Sequence, residues 1–410
     1  MRRLLPHLVI ALGILLRLAL APHVSHRGDE NAIGTWQNEL LRYGAAEFYA
    51  HSGCNYPPVH LYVAWVTGKM AQAAGLDISP CTLTSRLLLK LPQIAADVGI
   101  IYLVWFGLLG PGLTGRARLL WAVFLAFNPA WVFCSGLWGQ VDVLCALGVM
   151  AALVAFHRGR PVVSLCCFAL SLLVKPLYVI SLPVLVIAIA RRYGLRAFAL
   201  AALGALAVTA LVMLPFNVHQ SPLLLLQVVL RPAGVFKTTS LNAFNLWAAV
   251  GMWKSSLLPE LGLSYFTWGM MMLAVAYLPT LGLIWRHPTS RHLMAAVTLA
   301  QLAFFLFPTE IHERYAYYAT VPIVAWAALD ARVLPWAILL ACSATLNLHY
   351  RVRVPGESTP GIVYLARLHD AGVTMWLGLA ANLLVFGFGW LTALRTRPET
   401  PGAVGEAASE

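Results

Sequence analysis

The sequence predicts an all-α fold, a polytopic bundle of about twelve transmembrane helices with interfacial helices in its first outer loop. Three observations predict it. Hydrophobic residues make up 60% of the 410 and charged residues only 11%, against roughly 25% charged in a soluble domain. Mean hydropathy is +0.76. Apolar runs of about 16–22 residues recur along nearly the whole length, enough for a helix to cross a bilayer. One membrane domain is expected over 1–397, with outer loops at 23–90, 217–263 and 351–370. A small polar tail at 398–410 reads as disordered.

The first span reads 5–22. Met1-Arg2-Arg3 ahead of an apolar run, with Ala19-Leu20-Ala21 inside it, resembles a signal peptide and its cleavage site. Arg17 interrupts the run and Pro22 follows directly, so the reading is an uncleaved first helix. The next apolar stretch, 59–70, is too short and too polar to cross, and is read as an interfacial or re-entrant helix on the outer side. The remaining spans read 91–110, 119–136, 141–156, 161–175, 177–190, 196–216, 264–285, 292–308, 315–330, 333–349 and 371–391.

With Arg2 and Arg3 inside, the inner turns carry Arg116/Arg118, Arg158/Arg160, Arg191/Arg192/Arg196, Arg286/Arg291, Arg332 and Arg395/Arg397. Each is short and basic, as the positive-inside rule requires. Counting 59–70 as a crossing would put them all outside. The formal charge of +12 therefore does not point to nucleic acid, and no basic run with interleaved aromatics supports such a partner.

The outer face collects the residues capable of chemistry. Asp29 precedes Ile33, Trp36, Leu40 and Leu41, whose spacing gives a helix with one apolar face. Asp is a good N-cap. A carboxylate at the end of the first span also sits at bilayer-surface level, facing a lipid-borne substrate. The two roles are compatible, and Glu30 can substitute in either. Tyr56-Pro57-Pro58 fixes a rigid extended turn before the interfacial helix.

Trp138-Gly139-Gln140-Val141-Asp142 and His312-Glu313-Arg314-Tyr315 stand at outer helix junctions. His, Glu and Arg together at membrane depth are expensive and imply a polar partner or an aqueous cavity. An arginine fork beside an imidazole suits a phosphate oxygen. Lys175, Asp97 and Asp142 lie in or at the ends of apolar spans and read as a buried charge network, with structural pairing favoured for Asp97 and Lys175. The apolar patch 223–230 leads into Arg231 and the polar run Lys237-Thr238-Thr239-Ser240-Leu241-Asn242. It is either a berth for an isoprenoid tail and its headgroup or a surface helix anchored by snorkelling side chains.

Cys134, Cys145, Cys166, Cys167 and Cys342 lie in apolar runs without metal spacing. Cys54 and Cys81 share the outer face, where a disulfide is possible. There is no Walker loop, no GxGxxG, no HExxH and no Gly-x-Ser-x-Gly elbow. No cofactor and no metal is expected.

The order of these motifs, together with Lys90-Leu91-Pro92, Asn128-Pro129, Lys175-Pro176 and Leu241-Asn242-Ala243-Phe244-Asn245-Leu246-Trp247, resembles the GT-C superfamily of multi-spanning glycosyltransferases over about residues 5 to 330. Within it the chain looks like bacterial relatives of the GPI and phosphatidylinositol mannosyltransferases. It is also similar to the endoplasmic-reticulum glucosyltransferases that use dolichyl-phosphate glucose.

The resemblance implies a GT-C-type bundle in a bacterial cytoplasmic membrane, with an active site facing the extracytoplasmic side. It implies a polyprenyl-phosphate sugar as donor, carrying mannose or glucose, and a glycan or glycolipid as acceptor. Asp29 would be the catalytic base, and His312 and Arg314 would contact the donor phosphate. Glu30 is a second catalytic candidate. The substrate-binding candidates are completed by Glu313, Tyr56, Gln140, Asp142, Lys175, Arg231, Lys237 and Asn242. Two departures stand out: the paired acids are spaced differently from the family's, and Asn55 replaces the Asp common before Tyr-Pro-Pro.

The chemistry fits these residues. A polyprenyl-phosphate sugar leaves as a weakly basic phosphate and needs no general acid. One carboxylate to take the acceptor proton is enough, unlike the two of glycoside hydrolysis. Arg314 and His312 would stabilise the departing phosphate, and in-line attack would invert the anomeric centre. The competing class is a multi-spanning transporter or lipid flippase. Such folds usually show related halves around a midplane site, whereas here the halves differ and the polar residues gather at the outer surface.

Overall fold

The computed structural model describes residues 4–110, 112–231, 235–352 and 372–396. They are mainly helical, with four two-residue strands. Among the described residues, six helices are long and apolar enough to cross a membrane: Leu83–Gly107, Gly115–Trp138, Pro176–Asn217, Tyr265–Arg286, Ala331–Val352 and Val373–Arg395. Four shorter apolar helices accompany them, Leu5–Leu20, Asp142–His157, Pro161–Leu172 and Ser290–Leu306. The chain is the all-α polytopic membrane protein that its hydropathy predicts. The tail 398–410 and all but the first two residues of the expected loop 351–370 lie outside the described residues.

Two long elements are not single rods. In Pro176–Asn217 the chain turns back at Gly194 (φ 85°, ψ 165°), a conformation that glycine adopts without a Cβ penalty. Val186 and Phe198, from opposite arms, line one apolar cavity, and Leu173 shares a core cluster with Phe216. The expected spans 177–190 and 196–216 are thus the arms of a hairpin whose tip carries Arg191 and Arg192. Gly115–Trp138 breaks at Asn128, whose Oδ1 accepts from the Trp131 N–H at 3.3 Å. The chain then enters a π-helical turn, Phe133–Trp138, where the N–H groups of Gly139 and Gln140 both donate to the Cys134 carbonyl at 2.9 and 3.1 Å.

The first outer loop is helical. Arg27–His51 packs on Val59–Ala73, with Gln37 Nε2 donating to the Ala64 carbonyl at 2.7 Å and Tyr49 Oη to the Tyr56 carbonyl at 2.7 Å. The short helix Val59–Ala73 leaves Trp65, Val66 and Met70 exposed, an apolar face suited to an interface. The span expected from residue 91 starts earlier, at Leu83, because Thr82 Oγ1 caps it by accepting from the Ser85 N–H. Cys54 and Cys81 are free thiols, so the disulfide considered from sequence is not formed.

The bundle has two chemically different ends. At one, Arg158 donates to the carbonyls of Phe106 and Gly107 at 2.7 and 3.2 Å, and Arg191 lies over the Trp285 ring. Asp142 marks the other end of the same 16-residue helix, Asp142–His157, about 24 Å away.

Deep between the ends, Arg17 and Asp97 are fully buried and paired through Nε and Oδ2 at 2.7 Å. Ser135 Oγ donates to the same oxygen at 2.8 Å, and Arg17 Nη1 donates to the carbonyls of Gly13 and Ala126 at 2.9 and 2.6 Å. The helices meet this closely because Gly13 has no Cβ; one there would stand 2.6 Å from the Ala126 oxygen.

Removing one member of such a pair strands the other charge in hydrocarbon, at a cost of about 3–5 kcal/mol. Asp97→Ala should therefore lower the thermal unfolding midpoint of the detergent-solubilised protein well below that of Asp77→Ala, an exposed control. Equal midpoints would contradict a structural role for the pair.

Candidate active site

The site is organised by the turn that follows the π-helical segment. Gly139 takes a left-handed conformation, φ 79°, and a Cβ there would lie 2.5 Å from Lys90 Cγ. With the chain bent at this point, Trp138 and Gln140 face one way and Asp142 another. Trp138 Nε1 donates to Asp29 Oδ2 at 2.9 Å, and Gln140 Nε2 donates to the same oxygen. Asp142, fully buried, accepts from Lys175 Nζ at 2.8 Å through Oδ1, and its Oδ2 lies 3.7 Å from Arg314 Nε. One five-residue turn thus holds the outer-loop carboxylate and two cations from distant parts of the chain.

Asp29 stands in the first turn of Arg27–His51, where the helix dipole favours an anion. The cap expected of Asp29 is instead His26. Nδ1 of His26 lies 3.5 Å from Asp29 Oδ2, and its Nε2 lies 2.7 Å from Arg351 Nη2. The same Nδ1 accepts the capping bond from the Asp29 N–H at 3.2 Å, so His26 holds the start of the helix and the carboxylate side by side. Burial by itself raises the Asp29 carboxyl. Arg314, His26, the Trp138 N–H and Lys175 outweigh burial and hold it below the ordinary carboxylate range.

Glu30 points elsewhere. Arg86 Nε donates to its two oxygens at 3.0 and 3.1 Å, Ser25 Oγ donates at 3.1 Å, and its side chain is buried. Only one of the two adjacent acids faces open space.

That space is a cavity of about 360 Å³. Seven of the residues singled out from sequence line it: Asp29, Tyr56, Lys175, Asn242, His312, Glu313 and Arg314. A two-residue parallel ladder pairing Ser240 with Ile311 and Leu241 with His312 brings the second outer loop to the His-Glu-Arg element. Tyr56 lays its ring beneath Lys175, with Nζ 4.8 Å from the centroid, a cation–π contact that orients the ammonium.

Arg314 is buried among acids yet poorly bonded. Its contacts to Glu313 Oε1 and Asp142 Oδ2 measure 3.5 and 3.7 Å, and Nε has no hydrogen-bond partner among the described residues. Burial works against its charge, but Asp29, Tyr56, Glu313 and Asp142 together hold it more firmly protonated than usual. For His312, burial outweighs its hydrogen bond to Glu313 and pushes the imidazole below its ordinary value, so it is neutral near pH 7.

The remaining candidates lie off the cavity. Gln140 and Asp142 support its wall from behind. Arg231 Nη1 donates to the Cys54 carbonyl at 3.0 Å, tying the second outer loop to the first, and Lys237 is exposed with its backbone carbonyl bonded to the Ser256 N–H. Asp97 and Lys175 belong to separate pairs instead of one network. Cavity residues not singled out from sequence include His26, Phe236, Trp253, Glu310 and Arg351. Histidine is not among the preferred N-cap residues, so His26, three residues before Asp29, carried no capping signal. The others sit in loops whose neighbours only the fold supplies. Among the described residues no group of three or more His, Cys, Asp or Glu side chains is arranged to hold a metal ion.

A comparison with curated proteins finds no match. A family model, in contrast, matches residues 33–369 and so takes in most of the bundle and nearly all of the cavity wall. With that match over well more than half its length, the chain belongs to the ALG6, ALG8 glycosyltransferase family.

Proposed function

We propose that the protein is an inverting hexosyltransferase that moves glucose from a polyprenyl-phosphate donor to a lipid-linked or cell-envelope glycan, with Asp29 as general base and Arg314, aided by His312, on the donor phosphate. Family membership displaces the transporter or flippase reading. Of the two hexoses that the sequence leaves open, glucose fits the glucosyltransferase side of the resemblance, and membership of the ALG6, ALG8 family supports that side.

The observation that carries the reading is a largely buried guanidinium with under-used donors in the same cavity as the Asp29 carboxylate. A buried cation without short partners is costly unless an anion completes it, and a phosphate diester supplies both charge and acceptor oxygens. In the reaction, the acceptor oxygen attacks C1 of the hexose, its proton passes to Asp29, and the C1–O bond breaks with its electron pair going to the phosphate. Arg314 and a neutral His312, which can donate one N–H, then meet the charge that develops on the leaving oxygen.

A lipid berth lies beside this cavity. An apolar cavity of about 470 Å³ shares Pro176 with it and is lined by Val179, Phe198, Leu206, Leu225 and Val229, among others. Leu225 and Val229 come from the apolar patch that precedes Arg231. This favours a tail-binding role for the patch itself, with the basic residues after it serving to anchor the loop. The basic turns occupy the far end of the bundle, which by the positive-inside rule supports a cavity on the outer face.

Asp29→Asn should lower the transfer rate by roughly 10²–10⁴-fold, with unchanged expression and thermal unfolding; wild-type-like turnover would remove Asp29 from the role. Arg314→Ala should raise the KM for the donor more than that for the acceptor, and equal increases would count against phosphate binding. The pH dependence has a definite sign. Asp29 acts ionised, so activity is present above its pKa and lost as pH falls through it. A bound phosphate offsets Arg314, the largest influence lowering that pKa. The acid limb of kcat should therefore lie at higher pH than the acid limb of kcat/KM, which reports the free enzyme. Coincident limbs would show that donor binding leaves the base unperturbed.

A further inference from the structure

Three residues on one side of the cavity share an unusual backbone. Asn242, Trp253 and Glu310 have φ of 61°, 62° and 65°, and all three line the cavity. Left-handed backbone is disfavoured for any side chain and worst for bulky ones, and it concentrates where a site needs a particular orientation. Of the other described non-glycine residues with positive φ, Cys81 and Leu261, neither lines it.

The three are tied in place by hydrogen bonds. Trp253 Nε1 donates to Asn242 Oδ1 at 2.8 Å, and the Trp253 backbone N–H donates to the Ser240 carbonyl at 3.1 Å. The Asn242 carbonyl accepts from Asn347 Nδ2 at 2.6 Å. Glu310 donates through its N–H to the Thr238 carbonyl at 2.9 Å, and its Oε1 accepts from Ser256 Oγ at 2.9 Å. The indole is thus fixed by its edge, yet Trp253 remains 55% exposed. A tryptophan held this way at the edge of a polar cavity offers a flat apolar plate. Glu310 adds a carboxylate, which accepts hydroxyl hydrogens and repels phosphate.

A pyranose presents the matching chemistry, an apolar C–H face with a rim of hydroxyl donors. Resting on the reaction proposed above, we infer that Trp253 and Glu310 hold the hexose of the donor, with Asn242 positioning the indole. The donor sugar fits better than the acceptor because of where the phosphate goes. Leu241 pairs with His312, Asn242 bridges to His312, and Glu310 lies two residues before it. These groups therefore lie on the side of the cavity that carries His312, the residue assigned to the phosphate, which is one bond from the hexose. The acceptor hydroxyl must instead arrive at Asp29, which is held by Trp138, Gln140 and His26.

The test uses the purified full-length protein with polyprenyl-phosphate glucose, and with sugar-free polyprenyl phosphate as inhibitor. Trp253→Gly removes the plate while relieving the left-handed strain, so the loop keeps its shape. It should raise the donor KM about tenfold and leave the Ki of the sugar-free lipid unchanged; Trp253→Phe should recover part of the loss. Glu310→Gln should raise the donor KM by about ten- to a hundredfold, again without moving that Ki. Equal changes in KM and Ki, or no change in KM, would overturn the hexose clamp while wild-type transfer still upholds the reaction. A wild-type protein inactive with every polyprenyl-phosphate hexose overturns the reaction and the clamp together.

Discussion

The structure around the cavity depends on the way the turn Trp138–Asp142 divides its hydrogen bonds. Its first half donates to Asp29, and its last residue neutralises Lys175 and faces Arg314. Opposite charges gathered in one low-dielectric space would otherwise collapse into direct ion pairs. Here the acid and the guanidinium are each satisfied, in part, by a third party, which leaves both able to act on a ligand. A peptide bent at Gly139 does this without a flexible arm, and the close packing of Lys90 against that glycine keeps the bend from relaxing.

The same logic separates the charges that stabilise from those that face the cavity. Arg17 and Asp97 make short bonds, accept help from Ser135 and backbone carbonyls, and touch no open space. Arg86 and Glu30 do likewise at the root of the outer loop. Arg314, with a side chain only 14% exposed, has just long contacts. Burial alone does not distinguish a strut from a ligand-binding group; the degree to which the polar atoms are already satisfied does.

Much of the bundle was legible in the sequence because hydrocarbon imposes a simple code, long apolar runs punctuated by basic turns. The hairpin at Gly194 follows from residues visible in that code, whereas the break at Asn128 falls inside a stretch read as one span, 119–136. The early start at Leu83 was not read from sequence: Thr82 caps the helix there, and its polar first turns are accommodated because Arg86 and Lys90 are drawn inward to Glu30 and the His23 carbonyl. At the site, motif order marked Asp29, His312 and Arg314, and the structure brings all three to one cavity. It did not separate Asp29 from Glu30, because neighbours on a helix point in different directions and only the fold decides which one meets open space. His26 and Arg351 illustrate the rest. They touch across 325 positions, and no local pattern announces such a contact.

The π-helical turn Phe133–Trp138 has a consequence for how this region tolerates change. Its wider coil takes up one more residue per turn than an α-helix, and the chain emerging from it owes its heading to that surplus. Shortening the segment by a single residue would rotate everything downstream by roughly 100°, carrying the indole and the amide away from the acid they serve. Substitutions within the coil alter packing; deletions alter aim. Spacing, more than composition, is what this stretch has to preserve.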